Sequence, residues 1–308
     1  VQLEYIVAID TYRHYVTAAQ KCYVTQPTLS MQVKKLEEQL GVAIFDRTKQ
    51  PIIPTDIGKK IIEQARIVLA ESKKIEEIIA EGNSILSGEL TIGIIPSLAP
   101  YLLPLFIGDF TKNHPQISVN IIELLSEDIL TRLKNDTIDV GILVTPLREK
   151  GIIETPLFYE KMLFFANKNH SLAQQKEINT QQLTSSGLWL LGKGHCFRSQ
   201  VINLCSYQED SLSDTNFHFE SGSLETIQKL IEANGGYTLL PELATKNCQS
   251  SNTVIKEFNN ETPVREVSIA YSRNQIKRRM LDVLSKAIQL SVPKEMLNAD
   301  RGNIVEWR

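Results

Sequence analysis

The sequence predicts a small helical head, a long connecting helix and an α/β body that makes up most of the chain. Three patterns carry this. Apolar residues at helical spacing fill the first forty positions, interrupted by a three-residue turn. A heptad run then follows from Ile61 to Ile79 with no glycine or proline inside it. From residue 88 onward, short β-branched runs alternate with helical periodicity, the pattern of repeated βα units. A chain of 308 residues is long enough to hold more than one domain.

In the head, helices are expected at about Leu3–Thr11, Val16–Cys22 and Gln26–Gln39. Tyr23-Val24-Thr25 forms the turn between the last two, with Thr25 as a cap. Pro27 fits the first helical turn, where its missing N–H costs nothing. Leu29, Val33, Leu36 and Leu40 make an inward stripe and leave Thr28, Ser30, Gln32, Lys34 and Lys35 outside. A tight turn followed by a helix with such an outer face suits the major groove of DNA. Val42–Arg47 and Ile52–Pro54 then form two short strands of a basic wing around Thr48-Lys49-Gln50-Pro51. The candidate DNA contacts are Thr25, Gln26, Pro27, Thr28, Ser30, Gln32 and Lys34, with Arg47, Thr48 and Lys49 from the wing. Cys22 takes an apolar position and is assigned to packing.

Thr55 caps a long helix running to about Ile85. Its residues Ile61, Ala65, Val68, Ser72, Ile75 and Ile79 recur in alternating steps of four and three, a heptad seam that predicts dimerisation through this helix. Net charge is −3 overall, which excludes a generally basic nucleic-acid-coating protein. Residues 1–62 carry +2 and the remainder −5, a split compatible with a small DNA-binding head on an acidic body. Four cysteines, no basic-then-apolar leader and no long apolar run point to a soluble protein of the reducing cytoplasm.

In the body, strands are expected at Leu90–Ile95, Ser118–Leu124, Asp139–Val144, Met162–Ala166, Leu188–Leu191, Phe217–Ser221, Tyr237–Leu240 and Val267–Tyr271. Helices are expected at Tyr101–Asn113, Asp128–Lys134, Leu224–Ala233 and Gln275–Leu290, and a disordered polar tail from about Pro293. Domain limits follow at 1–56, 57–86 and 87–308. The last divides into 87–161 with 267–308, and 162–266.

Cys196 and Cys205 are the chemically suggestive pair. Gly192 and Gly194 break the chain before Cys196, and Phe197, Val201, Leu204 and Cys205 recur at helical spacing. Cys196 therefore lies in the first turn of a helix, where free N–H groups favour an anion. With His195 and Arg198 beside it, the thiol is expected to tend toward thiolate. Nine helical steps span ~13.5 Å, whereas a disulfide needs Cα atoms roughly 4.4–6.8 Å apart. Oxidation of such a pair would require local unwinding. Two packing cysteines on one helix would show the same spacing.

The head resembles the LysR-type transcriptional regulators. Ala18-Ala19, Val24-Thr25-Gln26-Pro27-Thr28-Leu29-Ser30, Leu36-Glu37, Leu40-Gly41, Phe45-Asp46-Arg47, Thr55 and Gly58 carry the likeness. In the body, Gly194-His195-Cys196-Phe197-Arg198, Cys205, Ser223-Leu224-Glu225-Thr226, Thr238-Leu239-Leu240-Pro241 and Pro96-Ser97 with Pro100-Tyr101-Leu102-Leu103-Pro104 are similar to peroxide-sensing members of that family.

The resemblance implies an α/β effector domain of periplasmic-binding-protein type, with two subdomains, preceded by an all-α winged helix-turn-helix and a long linker helix. It implies that Cys196 attacks hydrogen peroxide, that Cys205 resolves the sulfenic acid as a disulfide, and that Ser97, Ser126, His195 and Arg265 support the site. Implied partners are double-stranded DNA, hydrogen peroxide, further copies in a homodimer or homotetramer, RNA polymerase, and a glutaredoxin- or thioredoxin-like reductant. No cofactor, metal or membrane is expected, and the chain is expected to control peroxide-defence genes rather than act as an enzyme. The alternative is a LysR-type regulator responding to a small organic ligand in the inter-subdomain cleft. A thiol peroxidase or a solute-binding protein leaves the head unexplained.

Overall fold

The computed structural model describes residues 1–81, 86–205, 222–246, 248, 250–259, 261–275 and 277–308, with the side chains of 70 and 73–81 outside that description. The expected strand at Phe217–Ser221 lies outside the described residues. The chain divides into two compact units, one built on the first four helices and one beginning at residue 86.

The head comprises α1 (Gln2–Tyr12), α2 (Tyr15–Lys21), α3 (Gln26–Leu40), the antiparallel pair β1 (Phe45–Asp46) and β2 (Ile53–Pro54), and α4 (Asp56–Glu81). Thr25 caps α3 by accepting from the Thr28 N–H, and Gly41 ends it in the left-handed region at φ 68°. Thr55 caps α4 by accepting from the Gly58 N–H at 2.9 Å. A Cβ at Gly58 would lie 2.0 Å from the Ile44 carbonyl oxygen, so only glycine allows α4 to start this close to the wing.

Ile6, Ile9, Leu29 and Val33 are fully buried in the head's core. Leu40, placed inward by the sequence stripe, is instead 48% exposed, because α3 runs past the core in its last turn. Ile62 and Ala65 join the head's own core, and Arg66 pairs with Asp10 at 3.0 Å. The start of the heptad seam therefore packs within its own chain: Ile61 is half-buried and Ala65 buried, while Val68 is exposed. The side chains of Ile75 and Ile79 lie outside the described residues.

The body contains β3 (Gly88–Ile94), α5 (Ala99–Asn113), β4 (Ile117–Glu123), α6 (Ser126–Lys134), β5 (Val140–Thr145), β6 (Ile152–Asn167), α7 (Ser171–Gln174) and α8 (Cys196–Leu204). It continues through α9 (Leu224–Asn234), β7 (Tyr237–Pro241), α10 (Glu242–Thr245), β8 (Thr253–Lys256), β9 (Pro263–Ser272), α11 (Arg278–Ser291) and β10 (Asn303–Ile304). The strands run in the order β4-β3-β5-β9-β6-β7, with β10 beside β9 and β8 beside β6.

Two hydrophobic cores form. One gathers Ile92, Phe106, Ile129, Ile142 and Leu284; the other gathers Phe164, Phe165, Val201, Ile227 and Leu239. The strand β6 joins them, contributing Phe158 to the first and Phe164 to the second. Only its second half was expected. Pro156 and the pair Glu160-Lys161 break the apolar alternation, and the register shifts between Pro156 and Phe158.

Two other expectations are corrected. Leu188–Leu191 makes a single bridge, Leu188 to Tyr237, rather than a strand. The tail after Pro293 is ordered. It forms two 3-10 turns and β10, and it buries Met296, Val305 and Trp307 despite its polar composition.

Candidate functional site

The start of α8 lies where the two cores meet. Cys196 belongs to the first core, while Phe197 and Val201, on the same helix, belong to the second. As the sequence predicts, Cys196 is the first residue of the helix after the non-helical His195. It is 3% exposed, and all four cysteines are free thiols.

A buried polar group surrounds the sulfur. Arg265 on β9 is 0% exposed. Its Nε donates to Glu160 Oε2 at 2.8 Å, and Nη2 lies 2.8 Å from the same oxygen. Its Nη1 donates to Ser97 Oγ at 3.0 Å and Nη2 to the Ser97 carbonyl at 3.2 Å. The guanidinium stands 5.3 Å from the Phe197 ring centroid, within cation–π range. Arginine can only donate, so Ser97 Oγ must accept from it and keeps its own proton for another partner. Ser126, the first residue of α6, is buried, with its hydroxyl at the Cys196 sulfur and no nitrogen or oxygen partner among the described residues.

These groups bear on ionisation in opposite directions. Burial pushes the Cys196 thiol up, and this outweighs the Ser126 hydroxyl, the Arg265 charge and the Phe197 and Cys196 N–H groups that favour a thiolate. The expectation of a resting thiolate is therefore corrected: desolvation wins. Arg198, counted toward that expectation, donates to the Leu191 carbonyl at 2.9 Å. Burial also lowers the pKa of His195. Its imidazole lines a cleft of about 560 Å³ with Pro96, Glu123, Asp128 and Ser223.

Cys205 closes α8 at the other end. Burial alone pushes its thiol up to about 12. Continuous helix keeps the two Cα atoms ~13.5 Å apart along the axis, so a disulfide requires α8 to unwind. The helix is anchored by the buried Gln200, whose Nε2 donates to the Val305 carbonyl at 2.6 Å, and by Asn203, which donates to the Glu306 carbonyl at 2.9 Å.

The structure thus brings Ser97, Ser126, Cys196 and Arg265 together and turns His195 toward the cleft. Sequence reasoning missed Glu160. It sits directly opposite Arg265 in the β6–β9 register, a pairing 105 positions apart that no local pattern marks.

On the head, Thr25, Gln26, Pro27 and Lys34 are exposed, as are Arg47, Thr48 and Lys49 of the wing, while Thr28, Ser30 and Gln32 are half-buried. Several have internal partners: Thr25 and Thr28 bond each other, Thr48 bonds Asp46, and Lys34 pairs with Glu38. Arg47 pairs with Glu37 at 2.7 Å, and Gln32 Oε1 accepts from Gln2 Nε2 at 3.2 Å. Glu37 also accepts from the Ile44 and Phe45 N–H groups and so fastens the wing to α3. Among the described residues, no helix is long and apolar enough to cross a membrane.

Residues 1–59 match the family described as bacterial regulatory helix-turn-helix protein, lysR family, and residues 84–289 match the LysR substrate binding domain. The chain is 36% identical over 245 residues to the hydrogen peroxide-inducible genes activator of Haemophilus influenzae, covering 80% of each. It is 34% identical over 288 residues to the DNA-binding transcriptional dual regulator OxyR of Escherichia coli K12, covering 93% of each. A full-length cysteine variant of OxyR from Pseudomonas aeruginosa superposes with a TM-score of 0.78 at 32% identity, over 94% of this chain and 97% of that one.

Proposed function

Because this chain belongs to the LysR family of bacterial helix-turn-helix regulators, we propose that it is a DNA-binding transcriptional regulator that senses hydrogen peroxide through Cys196. One observation carries the reading. Cys196 and Cys205 bracket a single helix, and the Cys196 end meets the buried Ser126 hydroxyl and the Arg265 guanidinium.

The thiol attacks one peroxide oxygen. The S–O bond forms, the O–O bond breaks, and the thiol's proton leaves with the second oxygen as water, giving a sulfenic acid. Negative charge gathers on the leaving oxygen, where the free protons of Ser97 and Ser126 are available as donors and Arg265 supplies positive charge. A thiol of high pKa is also the stronger nucleophile once it ionises. Cys205 then displaces water from the sulfenic sulfur to form the disulfide. The similarity to proteins named peroxide-inducible activators supports the same chemistry.

Closing that bond unwinds α8 at the junction of the two cores. This changes how the body's halves pack and, through α4, how paired heads meet DNA. Thr25, Gln26, Pro27, Thr28, Ser30, Gln32 and Lys34 face the major groove, with Arg47, Thr48 and Lys49 along the backbone. Arg47 does so while braced by Glu37. The protein works in the cytoplasm as a homodimer or homotetramer, contacts RNA polymerase at peroxide-defence genes, and is reset by a thiol reductant. It consumes one peroxide per signalling event, as a sensor and not a turnover enzyme.

The test is mass spectrometry of the reduced protein after about one equivalent of peroxide, with peptide mapping. A two-proton loss mapped to Cys196 and Cys205 is expected. Scattered oxidation would overturn the reading and favour an organic inducer in the cleft beside His195, whose volume suits a small molecule.

A further inference from the structure

We propose that Glu160 is a positioning residue of the peroxide site, holding the Arg265 guanidinium against Ser97 and offsetting its charge where it faces Cys196. The inference rests on the peroxide-sensing reading and extends it to a residue that touches neither sulfur nor peroxide.

Geometry comes first. Glu160 is 0% exposed and lies opposite Arg265 on the two long strands β6 and β9. Both carboxylate oxygens are in use. Oε2 accepts from Nε of Arg265 while facing Nη2, and Oε1 accepts from the Leu243 N–H of α10 at 2.7 Å. One carboxylate oxygen shared by Nε and Nη2 on that edge restrains the plane of the guanidinium. That plane leaves Nη1 directed at Ser97 Oγ, with the Phe197 ring at cation–π distance. Without Glu160 the head group could rotate, and Ser97 would lose the bond that directs its proton outward.

The charges follow from the geometry. A fully buried Arg–Glu pair is nearly neutral from outside, so the sulfur faces a compensated dipole instead of a bare cation. The charged and titratable groups around this junction are Arg265 from β9, Glu160 from β6, His195 heading α8 itself, and Tyr101 from α5, on which Arg265 and Glu225 of α9 also act. Ser126 from α6 and Ser97, just before α5, complete the set as neutral donors. Of these, only Glu160 is bonded to Arg265 as an anion.

Glutamine cannot replace it. An amide has one accepting oxygen, so its NH2 must face either the Leu243 N–H or the guanidinium. The experiment follows Cys196 alkylation by iodoacetamide against pH, and its limiting rate of oxidation by peroxide, in the full-length reduced protein with peptide mapping. In Glu160→Gln, the alkylation midpoint is expected to fall by about one pH unit as Arg265 loses its counter-charge, and the limiting rate to drop about tenfold as the donors lose alignment. Glu160→Asp restores the charge and should return the midpoint toward wild type.

A packing role alone would move neither quantity in folded protein, and unchanged values overturn the proposal. Should Glu160→Gln not fold, Arg265→Gln is compared with the Arg265→Gln, Glu160→Gln double variant. Equal midpoints support action through Arg265, and a further shift in the double variant overturns it. Wild-type Cys196 inert to peroxide would instead sink the peroxide reading, while the midpoint comparison still judges Glu160.

Discussion

The two ends of α8 carry the same functional group in opposite settings. At the start, Cys196 is buried against Arg265 and Ser126, with backbone N–H groups directed at it. At the end, Cys205 is half-buried among apolar side chains of the second core, and burial alone acts on its thiol. Burial raises both pKa values, but among the described residues the groups that lower the cost of a negative charge stand at the first end. The proposed order of events draws on this difference: Cys196 meets the oxidant, and Cys205 waits for an oxidised sulfur to arrive. A helix between them makes the second event conditional on unwinding.

The sharpest way to break that comparison is to remove each sulfur in turn. Cys196→Ser is expected to abolish both oxidation and disulfide formation. Cys205→Ser should stop the reaction at a gain of one oxygen on Cys196, read by intact mass. If Cys205 oxidises first in Cys196→Ser, the asymmetry is lost.

Next in size is Arg265→Gln. It strands Glu160 as an uncompensated buried carboxylate and is expected to cost the body about 3–5 kcal/mol in urea denaturation. Peroxide oxidation of Cys196 should slow together with it. Ser126→Ala is milder and more telling. Its hydroxyl has no nitrogen or oxygen partner among the described residues, so stability should stay within about 1 kcal/mol of wild type. The oxidation rate should fall roughly tenfold, since one donor to the developing charge is gone. A rate unchanged by this substitution would remove Ser126 from the site.

The smallest effect is in alkaline solution. The folded pKa of Cys205 is raised to about 12, above the unfolded thiol range. The associated stability is fully present below about pH 8.5 and is lost as pH rises toward the folded value. Cys205→Ser should flatten part of that alkaline decline in a thermal melt.

The head's three helices and the parallel strands β3, β4 and β5 were legible because each is specified by neighbouring residues: a cap, a stripe, an alternation. Cys196 was legible for the same reason, since glycines stop the chain before it and periodicity resumes after it. Ser97, Ser126 and Arg265 were legible only through family likeness. Glu160 was not legible at all, because its meaning lies in strand register across 105 positions. The ionisation of Cys196 was misread because helix position is a local property whereas burial is not. The ordered tail was misread because its polar residues spend themselves on specific bonds: Arg308, for instance, pairs with Glu127 at 2.6 Å and Glu149 at 2.8 Å.

That tail has a consequence for how the protein is made. Gln200 is fully buried, and its Nε2 donates to the carbonyl of Val305, whose own N–H donates to the Val264 carbonyl on β9. During synthesis, α8 emerges about a hundred residues before its anchor does. On the ribosome, α8 therefore precedes both Arg265 and the tail that seat it. The seated form of the Cys196–Cys205 helix is thus completed only when residue 305 docks.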